Sequence, residues 1–376
     1  MKNFIKFILK IIFKFCYLFP INNKKIIIGE NQNMGFSGNI EKIYQKLKKY
    51  KFQFIYIGMF GDKNLNIDNR ILKKYSLFNL IAMYHLATAK YWFSDSTFFS
   101  FLKTKKGQKN VQLWHAAGAF KKFGLSIENN KKYYIDLAII SSDKISWCYQ
   151  EAFGIEKEKV KNLGIPRADI FFKEEEKNKV KKRFFDKYKK LQNKKIILYA
   201  PTFRDNDKGN FKLKLELRKM KEKLEDLNYK VLLRLHPSIK QSDINVDNKF
   251  SFNFSEYDNV SDLLIISDIL ISDYSSIIFE FSIMKKPILF YSYDVEEYIK
   301  DRGFYYNYYE FIPNKINYTT EEVIDSILNK KWDLERIEKF AKYFFNPFDG
   351  NSTERVLKEI GLLEEGEEIK WYLEQY

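Results

Sequence analysis

From Pro20 onward the sequence alternates short runs rich in β-branched and aromatic residues with helical patterns, and no other feature constrains the chain as much. That order builds parallel sheets, because two parallel strands need a crossover and a helix supplies it. The first set of expected strands is 25–29, 52–58, 91–94, 111–114 and 137–141, with a helix at 40–49. A highly charged stretch, 173–195, reads as a surface helix opening a second set. Its strands are 196–200, 230–235, 269–272 and 288–291, separated by helical stretches such as 213–227 and 276–285. At 376 residues the chain exceeds one ordinary domain, and its 35 Phe and 26 Tyr fill two cores. The expected fold is α/β, with two Rossmann-like domains.

The residues that follow each strand carry the chemistry. In the second set the strands run into Pro201-Thr202-Phe203-Arg204, His236-Pro237, Asp273-Tyr274-Ser275-Ser276 and Ser292-Tyr293-Asp294. In the first they run into Glu30-Asn31, Asp95-Ser96, His115-Ala116-Ala117-Gly118 and Ser142-Asp143. Open α/β sheets bind ligands outside the carboxyl ends of their strands. Two such sheets facing each other across a cleft are the GT-B architecture of nucleotide-dependent transferases.

Ser275 and Ser276 stand where they can cap the following helix, whose free N–H groups attract phosphate. Capping alone is the commoner fate of such serines. Arg204 and His236 at neighbouring strand ends shift the reading toward a diphosphate site. Strand alternation puts Arg234 on the same side as His236. His115 is followed by small residues that leave room for a ligand, and an imidazole is the natural base for an alcohol nucleophile. A packed ring is the competing reading. His85, in an apolar helical run, is structural. Asp205-Asn206-Asp207 is a polar loop despite its likeness to a metal-binding Asp-x-Asp, and no Gly-rich nucleotide loop occurs.

The net charge of +16 calls for anionic partners, although an A/T-rich genome also favours lysine codons. Nucleic acid is excluded by pattern: the aromatics fall in strand and helix cores rather than between exposed basic residues. Two cysteines, Cys16 and Cys148, exclude a disulfide framework and a Cys-rich zinc site. Residues 2–19 place lysines at positions 2, 6, 10 and 14. Each step of four drifts about 40°, so the lysines spread over roughly 120° of one helical face. Apolar residues fill the rest. A lysine every fourth residue interrupts any membrane span or signal peptide, so an amphipathic helix lying on an anionic membrane is the better reading. A short anchor and an ordinary packed helix are the alternatives.

The motifs jointly resemble the CDP-glycerol glycerophosphotransferase family, which makes teichoic acids and related capsular polymers. They are WHAAGAFKKFG from Trp114, GIPRADIFF from Gly164, ILYAPTFRD from Ile197, LLRLHP from Leu232, the long run from Val260 through SDYSS to RGFYY, and FNPFDGNSTERV from Phe345. The resemblance implies a GT-B enzyme that transfers a polyol phosphate, foremost glycerol phosphate, from a CDP-polyol to a hydroxyl of a lipid-linked glycan or polyol-phosphate acceptor. It implies His115 as base and His236 as a second catalytic residue in the donor-phosphate site. Arg204, Arg234, Asp273, Ser275 and Ser276 stand with it on the donor, and Asp95, Ser96 and Gly118 on the acceptor side. No metal or other cofactor is required, with Mg²⁺ on the donor diphosphate left open, and the protein is expected at the cytoplasmic membrane face. A CDP-ribitol-dependent transferase and a sugar-nucleotide glycosyltransferase are the rival readings. The expected division is 1–20 membrane helix, 21–172 acceptor-side domain, 173–345 donor domain and 346–376 a segment whose helix, 351–360, returns to the first domain. Trp-His-Ala-Ala in place of Trp-His-Gly-Thr, and the lack of a long N-terminal extension, point to the short subclass that includes primer-adding enzymes.

Overall fold

Strand alternation sorts the first sheet's side chains onto two cores. Ile26, Ile28, Phe54, Tyr56, Tyr91 and Phe93 face one, and Ile27, Ile55, Ile57 and Trp92 face the other. The first core is closed by Ile40, Ile43, Tyr44 and Leu47 of helix Gly38–Leu47, and by Val356 and Leu357 of helix Ser352–Glu359. The second is closed by helix Leu80–Thr88 and by Leu9 and Phe13 of helix Lys2–Phe15. A continuous apolar strand buried on both faces is the signature of a parallel sheet. The computed structural model describes residues 2–30, 37–58, 71–128, 131–204, 212–235, 239, 244 and 246–363.

The chain divides into two compact units. Unit 1 comprises Met1–Gly118, Phe123–Asp169 and Phe345–Tyr376. Unit 2 comprises Ala119–Lys122 and Ile170–Phe344. Nothing in the alternation of strands and helices foretells the four-residue excursion at 119–122.

Unit 1 holds strands β1 (Asn22–Glu30), β2 (Gln53–Gly58), β3 (Ile71–Ser76), β4 (Ala89–Ser94), β5 (Lys109–Gln112), β6 (Leu137–Ile140) and β7 (Val160–Asn162). Their order is β3-β2-β1-β4-β5-β6-β7, with every pairing parallel. Gly29 near the end of β1 has a packing reason: a Cβ there would lie 2.1 Å from the Phe99 ring. The C-terminal helix is tied to this unit by Asp169, whose carboxylate accepts the Ser352 and Thr353 N–H groups, each at 2.9 Å. That arrangement caps the helix from a distant point in the chain.

Unit 2 holds β8 (Lys195–Tyr199), β9 (Tyr229–Leu233), β10 (Ser251–Asn253), β11 (Ile269–Ser272), β12 (Ile288–Tyr291) and β13 (Ile316–Asn317). The order β10-β9-β8-β11-β12-β13 is again fully parallel. Its strands reverse direction of progress between β8 and β11, as those of unit 1 do between β1 and β4. Such switch points open a crevice at the strand ends, which is where open α/β sheets in general bind ligands.

Several expected elements are shorter than the sequence patterns imply. The strand expected at 111–114 stops at Gln112, because Trp114 has φ 55° and a left-handed residue cannot continue a ladder. The charged stretch at 173–195 forms helix Glu174–Lys187, a short turn at Lys189–Leu191 and then β8. The N-terminal helix is no separate appendage. Leu9 and Phe13 are buried in the unit 1 core, while Phe4 and Phe15 are 66% and 67% exposed. Among the described residues no helix is long and apolar enough to cross a membrane.

Candidate active site

In unit 1 the loops after β4 and β5 are locked to each other by Gln112, which is fully buried. Its amide nitrogen donates to the Ser96 carbonyl at 2.9 Å, and its amide oxygen accepts the Trp114 N–H at 2.9 Å. The Ser94 hydroxyl donates to the same Ser96 carbonyl at 2.6 Å. From the left-handed turn at Trp114 the chain presents His115. Asn39 donates to the Trp114 carbonyl at 2.7 Å and Arg167 to the His115 carbonyl at 2.6 Å, so the backbone is held on both sides. Arg167 is itself placed by its N–H bond to Asn39 at 2.9 Å.

His115 is half-buried, its ring centroid 4.2 Å from that of Trp114. Its Nδ1 lies 3.0 Å from the Asp95 carbonyl oxygen. A carbonyl only accepts, so Nδ1 carries the proton in the neutral ring and Nε2 is the basic nitrogen. The Trp114 ring stacks on Phe123 at 4.9 Å, which fixes the wall beside the imidazole. Gly118 has φ +64°, a conformation only glycine adopts without strain, and its carbonyl accepts the Tyr149 hydroxyl at 3.0 Å. Asp95, Ser96, His115 and Gly118 thus follow β4 and β5 directly, with Asp95 acting on His115 through its backbone.

In unit 2 the loops after β8, β11 and β12 converge on Arg204. Its guanidinium meets Asp294 in a two-pronged bond, Nε–Oδ2 at 2.8 Å and Nη2–Oδ1 at 2.9 Å, and Asp273 Oδ2 lies 2.9 Å from Nη2. Asp273 is buried and its other oxygen accepts the Thr202 and Tyr274 N–H groups at 2.8 and 2.6 Å. The Tyr274 hydroxyl donates to Asp294 at 2.9 Å. The rings of Tyr274 and Tyr298, stacked 3.9 Å apart, lie 4.9 and 5.0 Å from the guanidinium carbon. Burial works against the Arg204 charge, yet the Asp294 bond and the two carboxylates hold its pKa above the ordinary value. Burial likewise acts to raise Asp294, and Arg204 overcomes it and leaves that pKa lowered. The cluster sums to one positive and two negative charges.

Ser275 and Ser276 follow Asp273 and are half-buried, and Ser276 makes no side-chain cap to helix Ile277–Ile283. The capping expected of Ser276 is therefore not its use here. Arg234 turns to the edge of the sheet, where it donates to the Phe254 carbonyl at 3.3 Å and to the Ser255 carbonyl. Its N–H still donates to the Tyr199 carbonyl at 2.9 Å, so the backbone of Arg234 continues the pairing of β9 with β8 by one residue. His236 and Asp205-Asn206-Asp207 lie outside the described residues. Among the described residues no three His, Cys, Asp or Glu side chains gather as a metal site.

The family model of CDP-glycerol:poly(glycerophosphate) glycerophosphotransferases matches residues 11–362, nearly the whole chain. The chain belongs to this family. Two relatives from Bacillus spizizenii are similar to nearly all of this chain. The chain is 36% identical to a teichoic acid poly(ribitol-phosphate) polymerase over 95% of its own length and 60% of the relative's. It is 34% identical to a teichoic acid ribitol-phosphate primase over 95% of its length and 97% of the relative's. Among solved structures, a variant of the wall teichoic acid polymerase TagF superposes with a TM-score of 0.79 at 25% identity, covering 90% of this chain and 89% of that one. The same TagF variant soaked with CDPG gives 0.78. The glycerophosphotransferase motifs quoted above thus fall within the matched span, and the resemblance they carried holds.

Sequence reasoning did not assign Asp294, Tyr274, Tyr298 or Gln112. Asp294 had one signal, its place directly after an apolar strand. Gln112 had none, since a buried amide inside a strand looks like any other polar residue there.

Proposed function

We propose that this protein transfers a polyol phosphate from a CDP-polyol to a hydroxyl of a lipid-linked or polymeric acceptor, releasing CMP, in the assembly of a teichoic-acid-like cell-surface polymer. The observation that carries the reading, within the family, is the 3.0 Å bond from His115 Nδ1 to the Asp95 carbonyl, which leaves Nε2 as the base. The acceptor oxygen attacks the phosphorus bearing the polyol, its proton passes to Nε2, the P–O bond to CMP breaks and CMP departs. The work is positioning plus fixed charge.

Unit 1 supplies the base, with Asp95 setting its tautomer and Ser96 and Gly118 shaping the acceptor side. Unit 2 takes the donor: Ser275 and Ser276 meet the phosphates, and Arg204 holds the three loops that present them. His236 keeps the donor-side role that the resemblance gives it. Glycerol phosphate is the family's namesake unit, while the names of the two Bacillus relatives favour ribitol phosphate as a second reading. Incubation with CDP-glycerol, CDP-ribitol and a lipid-linked disaccharide, with products resolved by mass, tests the proposal. Growth of the acceptor by neither unit contradicts it.

The exposed side of the N-terminal helix supports a place on the cytoplasmic membrane face. Phe4, Phe7, Ile8, Ile11 and Phe15 are exposed there, followed by Leu18, which is 85% exposed. Phe78, Leu80 and Ile81 of the same unit are also exposed, and Tyr84 contacts Phe19 at 5.2 Å, which joins the two groups into one apolar surface. With Lys10 and Lys14 at its flank, that surface suits insertion to the depth of the headgroups of an anionic bilayer.

A further inference from the structure

The charge of the Arg204 cluster poses a problem for the reading above. With two carboxylates on one guanidinium it carries net negative charge, and a donor diphosphate is an anion. Further cations near it offset that charge, and Arg302, which acts on Tyr298, is one. Lys121 is in position to do so, and it belongs to unit 2 although the chain on either side belongs to unit 1.

Its placement rests on contacts within unit 2. Phe120 is buried and stacks on Phe304 at 5.3 Å and on Phe311 at 5.1 Å. The Tyr305 N–H donates to the Phe120 carbonyl at 2.6 Å and the Lys122 N–H to the Gly303 carbonyl at 3.2 Å. Lys121 is thereby paired across an antiparallel bridge with Phe304. Phe304 lies 6.0 Å from Tyr274 and 5.9 Å from Tyr298, the two rings that flank the Arg204 guanidinium. The half-buried ammonium makes no ion pair or hydrogen bond among the described residues, and it stands 6.0 Å from the centre of the Phe120 ring. The charged groups acting on it are Asp273, which favours its charge, and Arg302 and Arg204, which oppose it. Burial outweighs all three and brings its pKa from 10.5 to about 8. A lysine that merely packs its stem on an aromatic ring keeps its head in water. This one is held back from water and forms no ion pair among the described residues, which is the condition of a cation awaiting an anionic ligand.

We propose that Lys121 is a donor-binding residue whose ammonium meets the non-bridging oxygens of the CDP-polyol diphosphate and supplies the charge that Arg204 does not. The inference rests on the transferase reading above. The donor diphosphate is esterified at both ends and has no proton that titrates near neutrality, so the pH dependence of binding reports the protein.

Calorimetric titration with CDP-glycerol and with CDP-ribitol, from pH 6.5 to 9.5, tests it on wild type, Lys121→Met and Lys121→Arg. Wild-type affinity should be level below about pH 8 and fall by up to about tenfold per pH unit above it, as a deprotonated amine must recover its proton to bind. Lys121→Met should bind at least about tenfold more weakly at pH 7, without that fall, the loss expected for one charge-assisted bond. Lys121→Arg should bind nearly as wild type at pH 7 and also lack the fall. Thermal melting separates binding from folding. Because its pKa is lowered, the charged lysine disfavours the folded state at pH 7, and stability recovers as pH rises from about 8 to 10.5. Lys121→Met should therefore melt above wild type at pH 7, with the gap closing toward pH 10. Wild-type affinity in Lys121→Met, or an unchanged pH profile in Lys121→Arg, would overturn the inference and leave the transferase reading standing. Failure of the wild-type protein to bind either donor would overturn both.

Discussion

Arg204 and Asp294 meet fork to fork, 2.8 and 2.9 Å apart, and through this pair the loop after β8 is tied to the loop after β12. Asp273 brings the loop after β11 to the same guanidinium. One arginine thus ties together three strand-end loops of unit 2.

Arg204→Ala should cost about 3–5 kcal/mol, because it strands two carboxylates that were paired in the interior. Asp294→Asn should cost less, since Asp273 still pairs with the guanidinium. The sign of the pH effect follows from the lowered pKa of Asp294. Its contribution is present above the unfolded carboxyl pKa of about 3.9 and is lost as pH falls through the lower folded value. Urea denaturation of wild type and Asp294→Asn at pH 7 and between pH 4 and 2 should show the gap at pH 7 and its closure in acid. A gap that persists in acid would mean the pair does not act through charge.

Gln112→Leu should lower kcat while leaving donor affinity near wild type. The substitution removes the bonds to the Ser96 carbonyl and the Trp114 N–H, and so loosens the loop that aims His115. Loss of a buried hydrogen-bonded amide should also cost about 1–3 kcal/mol. Steady-state rates and donor titration on the same preparation separate the two effects, and a rate equal to wild type would show that His115 is aimed by other contacts.

The two faces of helix Lys2–Phe15 should respond differently to substitution. Replacing Phe4, Phe7 and Phe15 with serine should release the protein from anionic vesicles with little change in stability, since all three are exposed. Leu9→Ala or Phe13→Ala should cost about 2–5 kcal/mol, because both fill the unit 1 core. Vesicle co-sedimentation and thermal melting read these outcomes. Full vesicle binding by the triple variant would remove the membrane role.

The pattern of what was legible in the sequence has a physical basis. β11 and β12 were readable to the residue because each is a continuous apolar run between polar loops. β3, β7, β10 and β13 were not anticipated, and all four are sheet edges. An edge strand pairs on one side only, so Ile71–Ser76 tolerates two lysines and Ile316–Asn317 needs only two residues. The strand-end motifs stood out because polar residues directly after buried strands are conspicuous. Which of them pair could not be seen: Arg204 and Asp294 are 90 positions apart, and no local pattern encodes such a contact. The placement of Lys121 in unit 2 was hidden for the same reason, since the bonds that hold it come from residues 303 to 305.

His115→Ala tests the central claim most directly. General-base catalysis contributes about 10²–10⁴ in rate, so single-turnover release of CMP from a bound CDP-polyol should slow by at least about a hundredfold. Donor affinity should stay within about twofold of wild type, because the bonds around His115 that hold the loop run through its backbone carbonyl and Trp114. The predicted result is a folded protein that binds donor and barely transfers it. Transfer within about threefold of the wild-type rate would leave the reaction without the base assigned here and would contradict the account.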